Sequence, residues 1–417
     1  MTVAVVDDSI AKDEEDGEHP FPGGALGLLL KARGLVSPLW TTAWYASPWA
    51  SAQRRARFAD AGIPAPPTSF AVLAGVATDE LCRAVFTLLR RIPSPSELRR
   101  IEAETEVAIE QYEREGWLDD PHSYHQEPPP PAVLLEPTRV DVTRLECLRF
   151  ASAWQPHPDE PGGDRWRGYR PNDVARAYVL RHPDGPRPWL VCVHATEMGR
   201  PEIDLRLFRA AYLHRHLGLN VAMPVLPLHG CRRPARGTGA EFPTADVLDN
   251  VHGLAQAASD VRSVIAWVRQ QNPRGIGLFG VSLGGYVAAL VAGLETPLDC
   301  VIAGLPVVDF PELFLRNSPT EVRRLRSYAA LKETATAVHR VVSPLLLEPQ
   351  TADGRRFLFA GLADRLVDPV QQAQALWKHW GHPQIHWFAG SHVGHLVDRG
   401  INRFIDDALH QSGLAAP

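Results

Sequence analysis

The sequence predicts an α/β protein: a mostly parallel central sheet flanked by helices, with a helical extension before it and a helical insertion near its end. Two observations carry this. Downstream of a run of four prolines, short apolar segments rich in Val, Ile, Leu and Phe alternate with helical stretches, whereas upstream the pattern is helical. The 417 residues leave room for a core of about 250 residues with something appended.

Residues 1–19 are acidic where a signal peptide would be basic and then apolar, and they read as a disordered N-terminus. Residues 20–131 read as a helical extension. Leu26 to Arg91 is helix-like, with tryptophans at 40, 44 and 49. The stretch "SPSELRRIEAETEVAIEQYEREG" predicts a capped amphipathic helix: Ser94 or Ser96 can cap it, Leu98, Ile101, Ala108 and Tyr112 recur near helical spacing, and Gly116 stops it. The extension is read as either a wall of a pocket or a homodimerisation surface. Four consecutive prolines within "EPPPPA" (127–132) can neither continue a helix nor sit in a central strand, so the second domain is taken as 132–417.

In that domain "LECLRFASAWQP" and "ARAYVLRH" predict opening strands paired antiparallel. Six further runs follow: "WLVCVH" (189–194), "LNVAMPVL" (219–226), "GIGLFGV" (275–281), "LDCVIAGL" (298–305), "RFLFAG" (356–361) and "QIHWFAG" (384–390). Most lack clean polar alternation, as expected of strands covered on both faces. Between the second and third of these, Leu254, Ala258, Val261, Ile265 and Val268 predict a helix with one buried stripe, with Asp260, Arg262 and Arg269 on its other faces.

Forty-three Lys and Arg against 48 Asp and Glu give a net charge of −5, without long like-charge blocks, which disfavours nucleic acid or an anionic membrane as partner. No run of ~18 apolar residues predicts a membrane span. Five dispersed cysteines (82, 147, 192, 231, 300) read as buried free thiols in a reducing compartment, so a cytoplasmic location is the default. His214 and His216 are two apart on a predicted helix and face different ways, and no H-E-x-x-H or paired Cys/His spacing occurs; neither a metal nor a cofactor is expected.

Gly280-Val281-Ser282-Leu283-Gly284 ends one predicted strand and begins a helix, the strand-turn-helix setting that a G-x-S-x-G nucleophile elbow requires. The competing reading is that Ser282 merely caps the helix. A serine nucleophile needs a base and a group to orient it. Asp364 lies just past one predicted strand and His392 just past the next, with Asp368 or Asp309 as alternative acids and His395 as alternative base. Over roughly residues 140–412 the chain resembles the α/β-hydrolase superfamily, in the elbow, the "G-x-x-D-x-x-V" segment, the "G-S-H" segment and the order Ser, Asp, His.

The resemblance implies a serine hydrolase acting on a small-molecule carboxylic ester through Ser282, His392 and Asp364 and an acyl-enzyme. Acyl transfer, thioester or peptide hydrolysis would use the same residues, and a non-catalytic binding protein of this fold is the remaining alternative. The resemblance also implies an oxyanion hole from the backbone N–H of Leu283 and of Thr196, with Ala195 the other candidate, since Ala195 stands where the family often carries Gly. Arg232 and Arg233 in "MPVLPLHGCRRP" either bind a carboxylate or stabilise their loop. The insertion at about 311–350 is expected to form a lid.

Overall fold

A computed structural model describes residues 38–89, 93–234, 241–317 and 326–416. The disordered N-terminus expected at 1–19, the start of the extension up to residue 37 and the middle of the insertion, 318–325, lie outside the described residues.

Among the described residues nine strands form one sheet: β1 (Leu134–Val140), β2 (Thr143–Ala151), β3 (Val174–Leu180), β4 (Trp189–Val193), β5 (Asn220–Val225), β6 (Ile276–Val281), β7 (Cys300–Gly304), β8 (Arg356–Gly361) and β9 (Gln384–Phe388). Their order is β1-β2-β3-β5-β4-β6-β7-β8-β9. The first three pairings, ending with β3 on β5, are antiparallel, and the rest are parallel. From β4 the chain turns back to β5 on one side, while from β6 it proceeds to β7 on the other. The C-terminal ends of β4 and β6 therefore flank a topological switch point, where open α/β sheets form a crevice.

Both faces of the sheet are covered. Trp189, Val191 and Val193 of β4 point into one core, and Leu190 and Cys192 into the other. The longer helices are α1 (Pro48–Ala61), α2 (Phe70–Leu89), α3 (Pro95–Arg114), α4 (Val247–Gln270), α5 (Leu283–Leu294), α6 (Phe310–Asn317), α7 (Arg326–His339) and α8 (Arg399–Gln411). Helix α8 presents Ile401, Ile405 and Leu409 to one face, while α4 and α5 lie against the other. This is the α/β-hydrolase fold. Helix α3 begins as expected, with Ser94 as cap and a reciprocal bond from Glu97, and buries Ile101, Ala108 and Tyr112.

Three expectations need correction. Helix α4 is buried on nearly all sides, because α3 and α7 cover the face away from the sheet. Asp260 is buried against Arg232 (2.8 Å) and Ser152 (2.6 Å), from the segments after β5 and β2, and Arg262 donates to the Gln126 carbonyl at 2.9 Å. Next, β1 lies within residues where no strand was predicted: Pro137 argues against a ladder position, yet an edge strand accommodates it. Finally, the cysteines are free but not uniformly buried. Cys192 and Cys300 are, Cys82 and Cys147 are half-buried, and Cys231 is exposed.

Candidate active site

Ser282 follows β6 directly, with φ 57° and ψ −113°, a strained conformation that turns the chain from strand into α5. Its side chain makes no capping bond to α5, which removes the helix-cap reading. Two glycines make the turn possible. A β-carbon on Gly280 would overlap the Gly284 carbonyl, and one on Gly284 would overlap the Val193 carbonyl at the end of β4. The Ser282 N–H donates to the Gly304 carbonyl of β7 at 2.8 Å, and its carbonyl accepts from Tyr286 at 3.0 Å.

The loops after β8 and β9 bring the other two residues to this serine. His392 Nε2 lies 3.1 Å from Ser282 Oγ, and His392 Nδ1 lies 2.6 Å from Asp364 Oδ2. With the carboxylate accepting at Nδ1, that nitrogen carries the proton and Nε2 offers its lone pair to the hydroxyl. Asp364 is fixed by two further bonds, Oδ1 accepting from Leu366 N–H (2.9 Å) and Val367 N–H (2.7 Å). Burial pushes the His392 pKa down, but the adjacent Asp364 carboxylate and the charge of Asp79 outweigh it, and the net shift is upward.

The alternatives occupy other places. Asp368 is fully buried between Arg57 (2.7 and 2.8 Å) and Arg316, and Asp309 accepts from the Glu312 N–H at 2.9 Å within the first turn of α6. The Nδ1 of His395 bonds to the carbonyl of His392 at 2.6 Å, which braces the turn, and burial lowers its pKa to about 4.

Across the switch point, the loop after β4 faces the elbow. Thr196 and Ala195 line the same cavity as Ser282 and Leu283. The Leu283 N–H is the first of α5 and belongs to the donors that a helix leaves without an intrahelical acceptor. Buried His194 holds this loop. Its Nε2 accepts from Leu226 N–H at 3.0 Å and its Nδ1 meets the Ala195 carbonyl at 2.8 Å, while burial lowers its pKa to about 3. Arg232 is a structural residue: fully buried, it donates to the Val225 and Asn172 carbonyls, both at 2.9 Å. Arg233 pairs with Glu197 at 2.7 Å on the surface.

The cavity measures about 350 Å³. Its walls come from α2 (Cys82, Arg83, Phe86), from α6 (Phe310, Leu313, Phe314) and from the loops after β4, β7, β8 and β9.

Sequence reasoning missed two carboxylates on α2. Asp79 Oδ2 accepts from His392 N–H (2.8 Å) and Arg365 N–H (3.0 Å), and its Oδ1 accepts from Val393 N–H (3.0 Å). Glu80 accepts from Arg365 Nε at 2.7 Å and pairs with Arg83. The one signal in the sequence is an acidic pair in the middle of a largely apolar helix, "FAVLAGVATDELCRAVFTLL".

Two proteins of Mycobacterium tuberculosis are similar to this chain along most of its length. The uncharacterized proteins MT2702 (strain CDC 1551 / Oshkosh) and Rv2627c (strain ATCC 25618 / H37Rv) are each 43% identical to it over 360 residues, which is 84% of this chain and 85% of theirs. The chain belongs to their family. No family model matches it. Among solved structures, the chain's fold is similar to acetyl xylan esterase 1 from Thermoanaerobacterium sp. JW/SL YS485, at a TM-score of 0.46 and 15% identity over 72% of this chain and 93% of that one. It is similar also to the acetyl xylan esterase from Paenibacillus sp. R4, at 0.47 and 15% over 69% and 98%. No described helix in this member of the family is long and apolar enough to cross a membrane.

Proposed function

We propose that the protein is a serine hydrolase that cleaves carboxylic esters with an apolar group on the acyl or the alcohol side. The observation that carries this reading is the continuous hydrogen-bonded line from Ser282 through His392 to Asp364 at the mouth of a largely apolar cavity.

His392 Nε2 takes the proton from Ser282 as Oγ attacks the ester carbonyl. The tetrahedral oxyanion is held by the N–H groups of Leu283 and Thr196, where the N-terminal dipole of α5 favours negative charge. The imidazolium, stabilised by Asp364, hands its proton to the departing alcohol and leaves an acyl-Ser282. Water then enters, His392 deprotonates it, and the acid departs with Ser282 restored. Phe310, Leu313 and Phe314 of α6 and Phe86 of α2 would receive the apolar group, which gives the insertion the role of a lid and α2 that of a second wall.

The test is intact-protein mass after fluorophosphonate treatment of wild type and Ser282→Ala, with hydrolysis of short- and long-chain p-nitrophenyl esters. A single adduct that vanishes in the variant, with turnover lower by several orders of magnitude, is expected. Turnover retained in Ser282→Ala, or no adduct on folded wild type, overturns the reading.

A further inference from the structure

Helix α2 lies outside the sheet domain, nearly 200 residues before the elbow, yet one of its side chains grips both loops that carry the base and the acid. Asp79 is fully buried, and three backbone N–H groups of those loops donate to it. Two come from the backbone of His392 and Val393, and the third from Arg365, the residue after Asp364. Glu80 holds the side chain of Arg365. One turn earlier on the same helix, the approach is so close that a β-carbon on Gly75 would lie 2.9 Å from Ser391 Oγ. Tyr45, from the helical segment 38–46 before α1, stacks beneath Arg54 and Arg365 and closes the contact.

A carboxylate can accept from several N–H groups at once, and here it fixes two loops of different origin against one rigid helix. We propose that Asp79 is a positioning residue for the hydrolytic reaction, setting the backbone of His392 and Arg365 so that the imidazole meets Ser282 and Asp364 together. This rests on the serine hydrolase reading above. The extension is then part of the catalytic apparatus, and its removal would leave the loops after β8 and β9 without their common anchor.

Charged and titratable groups face His392 from each neighbouring element: Asp364 after β8, Asp79 with Cys82 on α2, and His395 in its own turn. Arg365 and Arg83 are engaged by Glu80. Asp79 contributes a negative charge beside the imidazole as well as its hydrogen bonds, and this supplies a readout that a purely structural role would not move.

The experiment compares full-length wild type, Asp79→Asn and Asp79→Glu for kcat and KM on a p-nitrophenyl ester, the pH profile of kcat/KM, fluorophosphonate stoichiometry and thermal unfolding. Asparagine keeps the shape but sets an NH2 against one of the three N–H donors. Folded Asp79→Asn is expected to label fully and to lose kcat on the order of 10²-fold, the scale of a 1 Å misplacement, with KM little changed. Its acidic limb should move to lower pH, because neutral His392 forms more readily once the nearby negative charge is gone. Asp79→Glu, which keeps the charge but displaces it, should lose kcat while the limb stays near wild type.

Wild-type kcat and limb in folded Asp79→Asn, or a rate loss that only mirrors the fraction left unlabelled, overturns the inference and leaves the hydrolase reading standing. Two variants that both fail to fold would make Asp79 a residue of the fold and also overturn it. A folded wild type that neither labels nor turns over overturns the hydrolase reading first, and this inference with it.

Discussion

Asp364→Asn perturbs the site at one atom, and the bonds around that atom set the size of the effect. Oδ1 of Asp364 accepts from two backbone N–H groups at 2.9 and 2.7 Å, and Oδ2 faces His392 Nδ1 at 2.6 Å. An asparagine satisfies only one of these sets. With its oxygen on the N–H pair, its NH2 faces Nδ1, the imidazole must carry its proton on Nε2, and the base can no longer accept from Ser282. With the amide flipped, the productive tautomer returns, but two N–H donors lose their acceptor at about 1–3 kcal/mol each. The productive arrangement therefore lies about 2–6 kcal/mol above the other. At about 1.4 kcal/mol per decade, kcat should fall by roughly 30-fold to 10⁴-fold. KM should change little, since the carboxylate lies behind the cavity wall and not among its lining residues. Steady-state hydrolysis of a p-nitrophenyl ester measures both constants, with Asp309→Asn and Asp368→Asn as controls expected to keep kcat. An Asp364→Asn variant within a few-fold of wild type, or a comparable loss in either control, would refute the reasoning.

Gly284→Ala drives a methyl group into the Val193 carbonyl, backbone against backbone, so it should cost at least ~1–3 kcal/mol and abolish fluorophosphonate labelling; thermal unfolding and intact mass check both. Five histidines, three buried and two half-buried, have pKa values lowered, by burial first, to about 3 (His125, His194) or about 4 (His229, His339, His395). Their neutral forms stabilise the fold fully above the unfolded value of ~6.5, and that stability is lost as pH falls towards the folded values. Asp204, which burial raises to about 7, slopes the other way, as do Asp79, Asp249, Asp260 and Glu312, which burial also raises; with the histidines outweighing them the urea midpoint should fall from about pH 6.5 to pH 4, and a flat or rising midpoint over that range contradicts this balance.

The sheet was legible because fully buried parallel strands leave a coarse and robust mark, a run of apolar residues bounded by turns. The runs at 189–194, 275–281 and 356–361 all became strands within a residue or so of their predicted ends. The elbow was legible because steric need restricts the residues flanking Ser282. Less was visible wherever one segment's environment is set by another segment far away in the sequence. Asp260 and Arg262 looked like the solvated side of a helix, and nothing local to α4 announces that Ser152, Arg232 and the Gln126 carbonyl meet them there. The edge strand β1 was hidden by its own proline, which a sheet edge tolerates.

The same limit explains why Asp364 and His392 were legible in the sequence while Asp79 was not. Asp364 and His392 each follow a strand, so topology alone delivers them to the C-terminal edge of the sheet beside Ser282. Topology does not fix the approach of two flexible loops to within hydrogen-bond reach of one serine. That requires contacts made by their backbone, and backbone N–H groups leave no trace in a sequence. Three of these groups end on Asp79, which burial and the nearby charge of Asp364 push towards its neutral form, while His392 and the N–H bonds of Val393 and Arg365 oppose the shift. A carboxyl group withdrawn from water at that cost has little to gain from packing alone. Its position is accounted for by the loops it holds, and those loops carry the residues on which the proposed chemistry depends.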